Sequence, residues 1–271
     1  MDTNLSGRIA LVTGSSSGLG KVIARALAAE GASVIINGRQ NNKVADTAHE
    51  IKRDCAHRIQ AYQFVCDATD PKLGQLLDAK LSEISRLDIL INNVGNIERF
   101  GTFEDLTEED WQRSFDITFM SAVRFIKASL PYLKKSRQAR IINISSLSAH
   151  QPSFTGLNLH YGMAKAGIIN LTKNLAADFG RYGILVNTIC PSTLLGGGWK
   201  QNIEDRAKRE RITTKQAEEL MREEENRKSP LGKMGELSDV ANLVVFLASP
   251  NANFLTGHSY NVDGGITRSI C

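Results

Sequence analysis

Short, near-continuous apolar runs alternate along this chain with longer segments of helical periodicity, and that alternation leaves few folds open. The runs Ile9–Thr13, Ser33–Ile36, Ala61–Val65, Leu87–Ile91, Arg140–Ile144 and Ile184–Thr188 are rich in Ile, Val and Leu. Most lack the strict apolar/polar alternation of a strand with one wet face, so they predict strands buried on both sides. Amphipathic segments at 19–30, 42–55, 72–85, 107–135 and 161–180 separate them. Parallel strands need crossover connections, and right-handed crossovers lay helices on both faces of the sheet. The expectation is therefore an α/β fold, a doubly wound parallel sheet with helices on both faces, in a single domain over 1–271. A late run, Ser259–Val262, ends at Asp263-Gly-Gly265 and is expected to join the sheet at one edge.

One segment breaks the rhythm. Between Leu194 and Lys228 the chain passes through Gly196-Gly-Gly198 into alternating charge, Glu204-Asp-Arg206 to Arg222-Glu-Glu-Glu225, before Ser229-Pro230. The pattern reads as a solvated helix pair, and its glycines suit a mobile substrate lid at 194–228; the two readings are compatible. The charge balance is 33 basic against 29 acidic residues, a formal +4. Without a basic stripe it points to neither nucleic acid nor a membrane surface. No apolar run approaches the roughly 20 residues needed to cross a bilayer, and Met-Asp-Thr-Asn-Leu-Ser has no basic segment followed by an apolar one. Cys55, Cys66, Cys190 and Cys271 form neither a CxxC pair nor a metal-ligand spacing. Reduced thiols in a cytoplasmic protein, with no metal, are the reading.

The loop Thr13–Gly20, T-G-S-S-S-G-L-G, links the first strand to the first helix. A helix N-terminus offers unpaired N–H groups and partial positive charge, so a phosphate is the expected guest. A mononucleotide P-loop is excluded twice over, because Ser15 stands at its first glycine and Val22 at its hydroxyl position. The spacing of Gly14, Gly18 and Gly20 is GxxxGxG, which also differs from the GxGxxG dinucleotide fingerprint.

The loop resembles the TGxxxGxG variant of the short-chain dehydrogenase/reductase family, and the resemblance covers nearly the whole chain. It continues through Asn92-Asn-Val-Gly95, Ile144-Ser-Ser146, Tyr161-Gly-Met-Ala-Lys165, Pro191 and Val262-Asp-Gly-Gly265. These pieces fall mostly at the C-terminal ends of strands, where open α/β sheets bind ligands. The resemblance implies a Rossmann-type, nicotinamide-dependent oxidoreductase moving a hydride between cofactor and a carbonyl/secondary alcohol substrate. It implies cofactor contacts from Gly14, Ser16, Ser17, Gly18, Leu19, Gly20, Arg39, Asp67, Ala68, Asn93, Gly95, Tyr161, Lys165, Pro191 and Thr193. Gly14 would take the tight turn, Gly18 and Leu19 would bring backbone to a pyrophosphate, and Gly20 would let the helix pack closely. The end of the second strand selects the dinucleotide: an acidic side chain accepts from a ribose 2′-OH, whereas a basic one accommodates a 2′-phosphate. Here Ile35-Ile-Asn-Gly38-Arg39 has Gly38 where NAD-dependent members carry Asp, with Arg39 beside it. NADP(H), with NADPH preferred, is the expected cofactor, and NAD(H) stays open.

Tyr161 and Lys165 lie four apart in a helical pattern, on one face. A phenol near pKa 10 is a poor base, but an ammonium beside it and an oxidised nicotinamide favour the phenolate. By resemblance Tyr161 exchanges the proton, Lys165 lowers its pKa and bonds the nicotinamide ribose, and Ser146 donates to the substrate oxygen. Ser145 is expected to support the backbone. The loop Ala149–Asn158 is expected near the substrate, with Phe154, Leu157 and Leu159 either lining the pocket or packing, and His160 reads as a surface histidine rather than a proton shuttle. Thr118 stands where the family carries a fourth catalytic residue, Asn; since that Asn acts largely through its backbone carbonyl, Thr118 keeps the relay possible. Val94, Ser192 and Ala164 are smaller departures near the cofactor.

The segments Pro230–Val240 and Phe246–Pro250 look most like the branch of 3-oxoacyl-carrier-protein reductases and related sugar, steroid and small-ketone dehydrogenases. The expected partners are a small carbonyl or alcohol substrate and further copies of the chain, a homotetramer or homodimer built on the helices at 107–135 and 161–180. Two alternatives stay open: an NAD(H)-dependent sugar or alcohol dehydrogenase of the same family, and a nucleotide-binding regulatory protein without turnover, which Thr118 motivates and intact Ser146, Tyr161 and Lys165 oppose.

Overall fold

A computed structural model describes residues 3–55, 59–152 and 157–268. Along the chain run β1 (Ile9–Val12), α1 (Gly18–Ala29), β2 (Ser33–Gly38), α2 (Asn41–Asp54), β3 (Ala61–Val65), α3 (Leu73–Ile84) and β4 (Ile89–Asn92). There follow α4 (Glu108–Phe115), a π-turn (Asp116–Met120), α5 (Ser121–Leu133), β5 (Arg140–Ile144), α6 (Leu159–Phe179) and β6 (Leu185–Pro191). The last elements are β7 (Leu194–Leu195), α7 (Trp199–Glu210), α8 (Thr214–Lys228), β8 (Gly235–Glu236), α9 (Leu237–Ala248) and β9 (Ser259–Val262).

Seven strands form one sheet in the order β3-β2-β1-β4-β5-β6-β9. Every pair is parallel, and β9 closes the edge beside β6 as expected. Register places Leu11 opposite Ile35 and Leu90, Leu90 opposite Ile141, and Ile141 opposite Val186. That row packs on Leu73, Leu77 and Leu81 of α3, Phe125 of α5 and Phe179 of α6. Successive strand residues point to opposite faces. The neighbours Val12, Ile36, Ile91, Ile142 and Ile189 accordingly pack on the other side, against Ile23 and Leu27 of α1, Val44 and Ile51 of α2, and Val244 and Leu247 of α9. Two buried faces explain the near-continuous apolar strands.

Sequence periodicity missed α9, which Glu236 and Asp239 start with a capping box. Its run Ala241-Asn-Leu-Val-Val-Phe-Leu-Ala248 is apolar almost all round, so a 3.6-residue stripe hardly shows. The expected single helix over 107–135 is two helices joined by the π-turn, opened by a capping box of Thr107 and Asp110. The 194–228 segment does contain a helix pair: Trp199, Ile203 and Ala207 of α7 pack with Ala217 of α8 and Met234 in a small separate cluster. Its base is clamped, since β7 pairs with β8, Leu194 opposite Gly235.

A polar chain crosses the sheet near the C-terminal strand ends. Asn92 Nδ2 donates to Asn143 Oδ1 at 2.8 Å, Asn143 Nδ2 donates to the Thr172 hydroxyl at 2.8 Å, and Thr172 bonds the Thr188 hydroxyl. All four are buried. No helix among the described residues is long and apolar enough to cross a membrane.

Candidate active site

The strand order reverses at β1, and there the loop Thr13–Gly20 leaves the sheet. Buried polar side chains stitch this point. The Thr13 hydroxyl accepts from the N–H groups of Asn93 and Val94 at 2.9 and 3.2 Å, while Asn93 Nδ2 donates to the Thr13 carbonyl at 3.0 Å. Asn37 accepts from the Gly14 N–H at 3.1 Å and donates to the carbonyls of Phe64 and Cys66 at 3.1 and 3.3 Å. One amide thus ties the loop after β1 to β2 and β3, a role the sequence reading did not assign. Gly14 and Gly18 adopt φ +62° and +55°, which favour glycine. A Cβ on Gly20 would lie 2.5 Å from the Gly14 carbonyl oxygen and 2.7 Å from Asn93 Nδ2, so the start of α1 can approach the loop only with glycine there.

Two clefts open over these strand ends. The smaller, about 290 Å³, is lined by Gly14, Ser16, Gly38, Arg39, Asp67 and Ala68; the larger, about 750 Å³, by Gly18, Leu19, Ser146, Tyr161, Lys165, Pro191 and Thr193. Ser17, Asn93 and Gly95 line both. Of the residues expected from sequence, only Gly20 and Thr118 line neither: Gly20 packs behind the loop, and Thr118 is buried near Gly95 and Lys165. The pair of clefts, joined over a glycine loop, suits the two ends of a dinucleotide.

At the smaller end, a Cβ on Gly38 would lie 2.5 Å from the Ser16 hydroxyl, so a side chain there is excluded unless Ser16 moves. Arg39 is 70% exposed and 3.9 Å from the Asp67 carboxylate. Burial opposes the Asp67 charge, yet the Thr69 N–H and hydroxyl, each 2.8 Å away, and Arg39 hold it below the usual carboxylate range. Asn96, Glu98, Arg113 and Ile117 also line this cleft, with Arg113 ion-paired to Glu98. Sequence reasoning missed all four, because a pairing between a loop and α4 has no periodic signature.

At the larger end, Ser145 and Ser146 divide their work. The Ser145 hydroxyl donates to the Lys165 carbonyl at 2.8 Å and so fixes α6 against β5. Ser146 follows, lining the same cleft as Tyr161, with its hydroxyl accepting the Ser148 N–H at 3.2 Å. Helix α6 sets Tyr161 and Lys165 one turn apart, with the ammonium 5.5 Å from the phenol ring centroid and donating to the Ile144 carbonyl at 2.6 Å. A Cβ on Gly95 would fall 2.8 Å from that nitrogen. Leu157 lines the cleft, Leu159 is partly exposed, and Phe154 lies outside the described residues.

Comparison with known proteins agrees with this geometry. The family model described as enoyl-(acyl carrier protein) reductase matches residues 14–267. A 3-oxoacyl-[acyl-carrier-protein] reductase of Synechocystis is 34% identical, covering 97% of this chain and 98% of its own. D-beta-hydroxybutyrate dehydrogenase of Cupriavidus necator is 34% identical over 96% of this chain and 98% of its own. The solved L-sorbose reductase of Gluconobacter frateurii, complexed with NADPH and L-sorbose, superposes with a TM-score of 0.91 at 28% identity, covering all of both chains. The chain belongs to the short-chain dehydrogenase/reductase family. It is an oxidoreductase with a nicotinamide cofactor, and the expected likeness to 3-oxoacyl-carrier-protein reductases holds.

Burial pushes the Tyr161 phenol up to about 12, with the neighbouring Ser146 hydroxyl pulling against it, and burial pushes the Lys165 ammonium down to about 8. Burial is the largest influence on the phenol, and the ammonium expected to lower it stands 5.5 Å from the ring centroid with its hydrogen bond directed at the Ile144 carbonyl. Two further points correct or extend the sequence reading of this dehydrogenase/reductase. His160 is not at the surface: it is 4% exposed, packs edge-on against Trp111 with ring centroids 6.0 Å apart, and burial lowers its pKa. Thr118 sits inside the π-turn, and its hydroxyl has no hydrogen-bond partner among the described residues. Such turns often mark functional sites, because they break the regular helical hydrogen-bond pattern.

Proposed function

We propose that this protein interconverts a carbonyl and a secondary alcohol with NADP(H), using Tyr161 as general acid/base. The observation that carries the proposal is that Ser146, Tyr161 and Lys165, the last one turn along α6 from the phenol, line one cleft that begins at the glycine loop. The loop Gly14–Gly20 and Asn93 would hold the dinucleotide's phosphates, Arg39 its 2′-phosphate, and Gly95, Pro191, Thr193 and Lys165 its nicotinamide end. A nicotinamide held by these residues would supply the hydride and, when oxidised, a positive charge to the site. In reduction Ser146 donates to the carbonyl oxygen, stabilising its growing negative charge, and Tyr161 delivers the proton that completes the alcohol. Lys165 supports the resulting phenolate and returns a proton to it; Thr118, in the π-turn, offers its main chain to that relay.

The absence of any carboxylate at Gly38, the steric barrier raised by Ser16, and the NADPH bound to the sorbose reductase support NADP(H) over NAD(H). The whole chain is proposed to act as one domain, with 194–228 as a lid. Exposed Met163 on α6, and Phe115 stacked on Phe119 beside the π-turn, support self-association through those helices. Removing the Tyr161 hydroxyl tests the chemistry. Tyr161→Phe should lower turnover by about 10²–10⁴, the scale of a lost general acid, with NADPH affinity kept. Turnover near wild type would overturn the assignment.

A further inference from the structure

The larger cleft carries a wall that the chemistry above leaves unexplained. Trp199, the first residue of α7, lines this cleft and is 7% exposed, yet its indole N–H has no acceptor among the described residues. It follows the turn Gly196–Gly198, where Gly196 and Gly197 adopt φ +102° and +59°, which favour glycine. One turn further, Asn202 lines the same cleft. Beside it Arg206 is held in a fork on Glu224 at 2.7 and 2.9 Å and bonds Glu210 at 3.0 Å. Across the cleft stand Gln151 and Asn158.

Apart from Lys165 at the far end, the α7–α8 wall of this cleft carries three cations, Arg206, Arg209 and Lys228, and three carboxylates, Asp205, Glu224 and Glu225, with Arg206–Glu224 and Lys228–Glu225 paired among them. A wall of paired charges has many donors and acceptors but little net field. An aliphatic chain laid on it would desolvate these groups without replacing their hydrogen bonds, which is costly. An anionic group would have to compete with the carboxylates for the same guanidinium. A neutral molecule with several hydroxyls satisfies both sides, and an indole adds an apolar face for its C–H groups together with one N–H donor. We infer that the substrate is a neutral polyhydroxylated ketone or its alditol, recognised by Trp199 and the ion-paired wall of α7 and α8. The inference rests on the oxidoreductase reading and deepens it. Trp199 and Asn202 would act as specificity determinants, since a site built to bond hydroxyls rejects analogues that lack them.

The test is a set of initial rates with NADPH on a neutral ketohexose, an unsubstituted six-carbon methyl ketone, a 2-keto acid and an acetoacetyl thioester. The ketohexose should give the highest kcat/KM, at least about tenfold above the plain ketone, the scale of a satisfied buried donor. Trp199→Phe keeps the ring and removes the N–H. It should cut the preference for ketohexose over plain ketone by about tenfold, mostly through KM, and abolish any quenching of protein fluorescence that arises from Trp199 on alditol binding. Asn202→Leu, one helical turn away, should reduce the same preference and serves if the tryptophan variant folds poorly. Highest kcat/KM for the plain ketone, the keto acid or the thioester, or full retention of the preference in both variants, overturns the inference and leaves the oxidoreductase reading standing. No reduction of any of the four with either NADPH or NADH overturns the oxidoreductase reading, and this one with it.

Discussion

Lys165 should make the protein less stable than a chain with an uncharged side chain in its place. Its side chain is buried, and burial lowers its pKa from 10.5 to about 8. At about 1.4 kcal/mol per pKa unit, holding the charge at neutral pH costs about 3 kcal/mol relative to the unfolded chain. Lys165→Met removes the charge at similar length but forfeits the hydrogen bond to the Ile144 carbonyl, worth about 1 kcal/mol. The variant should therefore be about 2 kcal/mol more stable at pH 7, though inactive. The sign then reverses with pH. Between the folded value near 8 and the unfolded 10.5, the unfolded wild type binds more protons than the folded one, so wild-type stability climbs. The penalty is complete below pH 8 and gone above about 10.5, where the methionine variant should become the weaker fold. Urea unfolding of both cofactor-free proteins across this range measures the difference directly. A difference that stays constant from pH 7 to pH 11, or a variant already weaker at pH 7, would refute the reasoning.

Arg39→Ala should weaken NADPH binding and leave NADH binding nearly unchanged, since the guanidinium is exposed at the cleft where only a 2′-phosphate would need it; titration of both nucleotides checks this, and equal losses would refute it. Gly95→Ala should keep the fold, because the atom 2.8 Å from the new Cβ is the movable Lys165 Nζ rather than backbone, while turnover drops by about 10² from its displacement; circular dichroism with steady-state rates separates the two effects. Thr118→Val removes a buried hydroxyl that bonds nothing among the described residues, so stability should hold or rise by up to about 1 kcal/mol, with turnover retained if the relay runs through the main chain. Loss of turnover in a folded Thr118→Val protein would show that the hydroxyl itself takes part.

What was legible in the sequence follows from the physics of each element. Strands buried on both faces declare themselves as apolar runs, and all seven strands of the sheet were found within a few residues of their ends. β2 and β6 extend to Gly38 and Pro191, beyond the sequence reading, because Asn37 and Gly38 end the apolar run of β2, while Asn187 and Thr188 interrupt that of β6 before Ile189 and Cys190 resume it. The nearly all-apolar α9 and the π-turn at 116–120 were hidden, since neither shows a clean 3.6-residue stripe. In the site, residues tied to local motifs were readable: Gly14 to Gly20, Ser146, Tyr161, Lys165. Asn37, Glu98 and Arg113 were not, because their importance lies in partners between 15 and 29 residues away. His160 was misjudged because a histidine beside an exposed-looking loop carries no sign of the tryptophan that covers it.

The amide and hydroxyl chain from Asn92 to Thr188 has a consequence for how the chain avoids wrong alignments. Apolar strands of Ile, Val and Leu could slide past one another with little penalty, because one branched side chain replaces another. A slip of β5 by a single residue turns Asn143 toward the opposite layer and leaves the buried Asn92 amide without its acceptor, at a cost of about 1–3 kcal/mol. The same few polar groups that lie beneath the chemistry therefore act as an alignment key, rejecting shifted sheets that hydrophobic burial alone would tolerate.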